Sequence, residues 1–225
     1  MLRNVSEIHN YVLEAEDGEI GRCNDFLFDD ELWTIHHMVA NTSKWLLGRK
    51  VLISPFLLDE PDWNLDRLPV KLSREQIKNS PSLDSDKPIS RQYERLLFDN
   101  HKIPHYWDNR ENGEENEHLR STHEVTGYHL SAKDGEIGHI DDFIIETDSW
   151  IIKYLVVDTK NWLPGRKVLL APNWLESIEW ISKKVIVNLT KEQIEQSPEY
   201  TSSTLITREY ESQLYDYYDF PKYWE

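Results

Sequence analysis

The stretch Asp17-Gly18-Glu19-Ile20-Gly21 recurs residue for residue as Asp134-Gly135-Glu136-Ile137-Gly138, 117 positions later. The same offset carries Gly48-Arg49-Lys50-Val51-Leu52 onto Gly165-Arg166-Lys167-Val168-Leu169. It carries Glu75-Gln76-Ile77 onto Glu192-Gln193-Ile194, and each copy is followed by Ser-Pro, at Ser80-Pro81 and Ser197-Pro198. The closing Tyr106-Trp107 returns as Tyr223-Trp224. No insertion or deletion interrupts the match, and about four positions in ten are identical, which marks an internal duplication. The expected units are 2–108 and 119–225, each of domain size. Between them, 109–118 reads Asn-Arg-Glu-Asn-Gly-Glu-Glu-Asn-Glu-His, polar and acidic without apolar periodicity, the composition of a flexible linker.

Each copy serves as a check on the other. Asp17-Gly18 and Asp134-Gly135 are hairpin signals, because tight hairpins favour Asp-Gly. Trp33, Ile35, His37 and Val39 alternate as in a strand, and Trp150, Ile152, Tyr154 and Val156 repeat the pattern. Short apolar runs at 51–53 and 168–170 close on Pro55 and Pro172, and alternation returns at 68–72 and 185–189. Several short strands separated by turns predict an antiparallel β unit, sandwich or small barrel. Ser73-X-X-Gln76 and Thr190-X-X-Gln193 read as capping boxes opening a short helix that Pro81 and Pro198 end. A second helix is expected after Ser90 and Thr207, leading into the aromatic tail.

Composition narrows the functional classes. The 225 residues carry 41 acidic and 25 basic side chains, a net charge of -16, with 9 Trp, 11 Tyr and 6 Phe. That aromatic content argues against disorder. The negative charge disfavours nucleic acid and anionic lipid, which select basic surface. No apolar run is long enough for a membrane helix, so no membrane insertion is expected. A lone cysteine, Cys23, excludes an internal disulfide framework and, with a start unlike a signal peptide, points to a cytoplasmic protein.

Asp-Gly-Glu-Ile-Gly, the downstream Asp25-Phe26 and Asp142-Phe143, the Trp-X-Ile strand, and Trp-Leu-X-Gly-Arg-Lys-Val-Leu together resemble the PRC-barrel domain. The resemblance covers both copies, most strongly over about 11–72 and 128–189. It implies two tandem small antiparallel PRC-like β-barrels, each with a short helical aromatic tail and related by a pseudo-two-fold. Such barrels occur in the photosynthetic reaction-centre H subunit and in a ribosome-maturation factor, where they serve as docking or assembly modules. The implied role is a non-enzymatic adaptor or scaffold that docks a protein partner or a second copy of itself as a homodimer.

Individual residues add little chemistry. Cys23 faces Ile140 in the other copy and reads as a packed hydrophobe. None of the nine histidines pairs with a histidine across the copies, His139 matching Arg22, so no metal or cofactor is expected. His101 and His105 have the spacing of one helix face, but their counterparts are Tyr218 and Lys222. The acidic residues Asp17, Glu19 and Asp25, with Asp134, Glu136 and Asp142, are expected in turns as solvated carboxylates. Arg49, Lys50, Arg166 and Lys167 follow a glycine turn and are candidates for an anion or an acidic partner segment, which makes anion sensing the alternative function. Trp45, Trp162, Trp107 and Trp224 are the candidate interface aromatics. No catalytic constellation is duplicated or complete, so no enzyme is expected.

Overall fold

The computed structural model describes residues 1–42, 45–46, 49–81, 83, 89–107, 119–159, 165–201 and 203–225. The linker expected at 109–118 and the residues Gly48 and Trp162 lie outside the described residues. The chain is mainly β. The first half runs β1 (Leu2–Asn4), α1 (Val5–Ile8), β2 (Val12–Ala15), β3 (Gly18–Asp29), β4 (Thr34–Asn41), β5 (Lys50–Ile53), β6 (Arg67–Pro69), α2 (Arg74–Asn79) and α3 (Arg91–His101). The second runs β7 (Leu119–Ser121), α4 (Thr122–Val125), β8 (His129–Ala132), β9 (Gly135–Glu146), β10 (Ile151–Asp158) and β11 (Lys167–Leu170). It ends with β12 (Leu175–Glu179), β13 (Lys184–Val187), α5 (Lys191–Glu195) and α6 (Arg208–Tyr218). No helix among the described residues is long and apolar enough to cross a membrane.

Two compact units form, and each takes short segments from the other copy of the repeat. The first unit is Val5–His123 with Ser149–Ile151; the second is Met1–Asn4, Glu124–Asp148 and Ile152–Glu225. The reason is strand pairing. Strand β1 lies antiparallel to β9, with Arg3 opposite Ile145, although its sequence belongs to the first copy. Strand β7, from the second copy, lies antiparallel to β3 with Arg120 opposite Phe28. Each copy thus gives its first strand to the unit built mainly from the other copy.

In the first unit β6 runs parallel to β2, β2 and β3 form a hairpin, and β3, β4 and β5 continue antiparallel. The second unit repeats this as β13 parallel to β8, then β8, β9, β10 and β11, with β12 added beside β13. Trp33 and Trp150 sit ahead of their strands, at positive φ of 54° and 57° in the turns, rather than beginning the alternation. Nearly every residue of β4 is buried, so both of its faces are covered and the expected alternation of burial is lost.

The repeated pentapeptide has a distinct job at each position. Asp17 Oδ1 accepts from the Arg74 amide at 2.7 Å, and Asp134 Oδ1 from the Lys191 amide at 2.9 Å, so the hairpin turn caps the first turn of α2 or α5. Ser73 with Gln76 and Thr190 with Gln193 complete capping boxes at the same helix starts. Ile20 and Ile137 are fully buried. Gly21 and Gly138 permit a close approach of strands: a Cβ on either would collide with the carbonyl oxygen of Asn41 or Asp158.

Asp25 and Asp142 are buried rather than solvated. Asp25 accepts from Ser121 Oγ at 2.5 Å, Thr122 Oγ1 at 2.9 Å, the His123 amide at 3.1 Å and the Phe26 amide at 2.8 Å. Asp142 accepts from Asn4 Nδ2 and the Phe143 amide, both at 2.8 Å. Each aspartate thus holds the chain that follows or ends the strand given to its unit. Asp25→Ala would leave buried donors unpaired and is expected to lower unfolding free energy by about 2–3 kcal/mol, read from urea denaturation. Gly21→Ala is expected to lower the thermal midpoint clearly more than Gly127→Ala, whose added Cβ meets nothing within 4 Å.

Candidate functional site

The tails are anchored by two buried glutamates at equivalent positions. Glu94 on α3 and Glu211 on α6 are 0% and 2% exposed. Glu94 Oε1 accepts from Tyr106 OH of the tail at 2.6 Å and lies 2.8 Å from His37 Nε2 on β4. The His36 ring stacks on Tyr106 with centroids 3.6 Å apart. In the second unit Glu211 Oε1 accepts from Tyr223 OH at 2.9 Å and from Tyr154 OH on β10 at 2.7 Å. Arg208 adds an ion pair at 3.0 Å to the other oxygen. Burial and the hydrogen bond to Glu211 push the Tyr154 hydroxyl well above the ordinary tyrosine range. A His–carboxylate pair can serve as acid and base, but His37 and Glu94 are both sealed from solvent, and tyrosine replaces the histidine in the other unit. The shared property is donation of a hydrogen bond into a buried carboxylate, which fastens the tail to the sheet.

The candidate tryptophans divide. Trp107 is buried in its own unit, edge-on to Phe98 at 5.3 Å and clustered with Val39, Leu52 and Leu97. Its ring is packed inside the chain rather than presented to a partner. Trp224 is half-buried, edge-on to Tyr215 at 5.2 Å and under the Arg208 guanidinium at 4.3 Å. Trp45 is also half-buried and stands beneath the Arg74 guanidinium at 4.8 Å. With Asp17, Arg74, Glu75, Lys78 and Asn79 it lines an open cleft of about 370 Å³ within the first unit.

The basic turns are drawn inward. Arg49 donates to the Lys78 carbonyl at 2.7 Å and to the Ser80 carbonyl, closing the C-terminal end of α2. Arg166 donates to the Ser197 carbonyl beyond α5 and lies 4.0 Å from Glu199. Lys167 pairs with Asp141 at 2.6 Å, and Lys50 is exposed at the start of β5. The arginines therefore spend donors on backbone carbonyls across the turn.

His101 and His105 do not share a helix face, because α3 ends at His101. His101 Nε2 meets Ser80 Oγ at 2.7 Å, whereas His105 Nε2 meets Asp99 Oδ1 at 3.0 Å. Cys23 is 1% exposed, and burial, aided by the nearby Asp25 charge, pushes its thiol above the ordinary cysteine range, the opposite of an activated nucleophile. The residues that sequence reasoning missed are Glu94 and Glu211. Their signal was helical spacing, since Glu94, Leu97, Phe98 and His101 fall on one face of α3 and all are buried.

A scan against models of known protein families and a search of curated proteins both return no match.

Tyr106→Phe removes a hydrogen bond to a buried carboxylate and is expected to cost about 1.5–3 kcal/mol in urea denaturation. Tyr223→Phe should cost less, because Arg208 still pairs with Glu211. Burial holds the His101 pKa below the ordinary 6.5. As pH falls below 6.5 the unfolded chain takes up a proton that folded His101 resists, so this contribution to stability, full above 6.5, is lost toward the lower folded pKa. Thermal midpoints between pH 7 and 5 should fall less steeply in His101→Gln than in the natural chain.

Proposed function

We propose that this chain is a non-enzymatic docking module working in the cytoplasm, built from two tandem PRC-like barrels. It engages a protein partner through the Trp45 cleft of the first unit. The observation that carries the reading is the geometry of Trp45: a half-buried indole stacked under Arg74 at the side of an open cleft. Tryptophan and arginine are the residue types that dominate binding energy at protein interfaces. Two acidic groups, Asp17 and Glu75, and two basic ones, Arg74 and Lys78, rim the indole, suiting an extended segment with an apolar side chain flanked by mixed charge. The sequence resemblance to the PRC-barrel, whose known members act as docking or assembly modules, supports the same class. An anion site on the Gly-Arg-Lys turns has less support, because Arg49 and Arg166 aim their donors at backbone carbonyls.

The test is affinity capture with matched variants. A stoichiometric partner should be retained by the natural chain and bind about 30-fold more weakly to Trp45→Ala, the loss expected of a hot-spot residue. Light scattering on the same proteins decides whether the retained partner is a second copy. Equal retention by Trp45→Ala, with its thermal midpoint unchanged, would contradict the assignment.

A further inference from the structure

One corner of the second unit carries a donor set that the first unit lacks. His139 and Asp141 lie two apart on β9, so their side chains share a face of the sheet. Asp158 ends the neighbouring strand β10. The close approach at Gly138 presses the Asp158 backbone against β9 beside His139. One imidazole nitrogen and one oxygen from each carboxylate fall within 4.8 Å of one another, and all three residues are half-buried. A metal about 2.1 Å from three donors needs those donors roughly 3–4 Å apart, which small side-chain rotations supply.

The duplicated sequence provides an internal comparison. At the three equivalent positions the first copy has Arg22, Asn24 and Asn41. Around them Gly21, Thr42 and Lys50 match Gly138, Thr159 and Lys167, so the frame is common and the donors are what change. Arg22 uses its guanidinium on the Asn10 carbonyl at 2.6 Å. A fixed cation and two neutral amides therefore stand where the second unit has an imidazole and two carboxylates. The change draws positive charge to this corner, and Lys167 Nζ already answers it at 2.6 Å from Asp141 Oδ2.

We propose that His139, Asp141 and Asp158 form a binding site for a first-row divalent transition ion. The imidazole selects against calcium and magnesium, which prefer all-oxygen ligation, and the mixed nitrogen and oxygen set suits zinc and its neighbours. Three protein ligands leave the remaining positions to water. Lys167 is the resident competitor: its ammonium must leave Asp141 when the metal enters.

Zinc is titrated by calorimetry into the full chain after chelator treatment. The expected result is one saturable equivalent and a raised thermal midpoint. His139→Arg and Asp158→Asn install residues that the first copy carries at the same positions, and each should weaken binding at least tenfold. Lys167→Met should tighten it several-fold. Manganese added to the natural chain should broaden NMR signals of His139, Asp141 and Asp158 first, a readout that needs no variant. The proposal is overturned if zinc shows no saturable equivalent, if both weakening variants bind as the natural chain does, or if the broadening centres elsewhere.

Discussion

Two carboxylates removed from water, Asp25 and Asp142, set the terms for the architecture. A buried charge is tolerated when hydrogen-bond donors surround it, and the donors here come from far along the chain. Asp25 draws on Ser121, Thr122 and His123, at the end of the strand that completes the first unit. Asp142 draws on Asn4, at the end of the strand that completes the second. Asn4 is itself fixed through its side-chain oxygen, which accepts from Tyr200 OH at 2.5 Å. Arg120 strengthens the first arrangement by pairing with Asp30 at 2.8 Å. Satisfying the aspartates and pairing the first strands are thus one event in each unit.

The same principle recurs at the tails. Glu94 and Glu211 could not be buried without the tyrosine hydroxyls that reach them from the tail and the His37 or Tyr154 donors from the sheet. Each carboxylate joins helix, strand and tail at a single point. This explains why Tyr-Trp ends both copies: the tyrosine binds the glutamate, and the tryptophan covers apolar surface of the same helix. At the cleft by Trp45, by contrast, the ring is held by Arg74 but not enclosed.

Much of this was legible in the sequence because it is governed by local chemistry. Ser73, Ser90, Thr190 and Thr207 are N-caps as their spacing predicts, and the Asp-Gly turns close the β2–β3 and β8–β9 hairpins. The strand exchange was not legible, for a physical reason. Leu2-Arg3 and Leu119-Arg120 are the same dipeptide, and the ends of β3 and β9 are similar edges. Pairing preferences alone could not say which strand goes where. Glu94 and Glu211 were hidden differently: their spacing places them inward, but charged residues are ordinarily read as solvated. The His139, Asp141 and Asp158 grouping depends on which strands become neighbours, which spacing along the chain does not show.

The central claim is that each unit is completed by the first strand of the other copy, and backbone NOEs across the paired strands test it most directly. The account predicts cross-strand contacts between Arg3 and Ile145 and between Arg120 and Phe28. Contacts between Arg3 and Phe28 together with Arg120 and Ile145 would mean that each copy keeps its own first strand, and would contradict it.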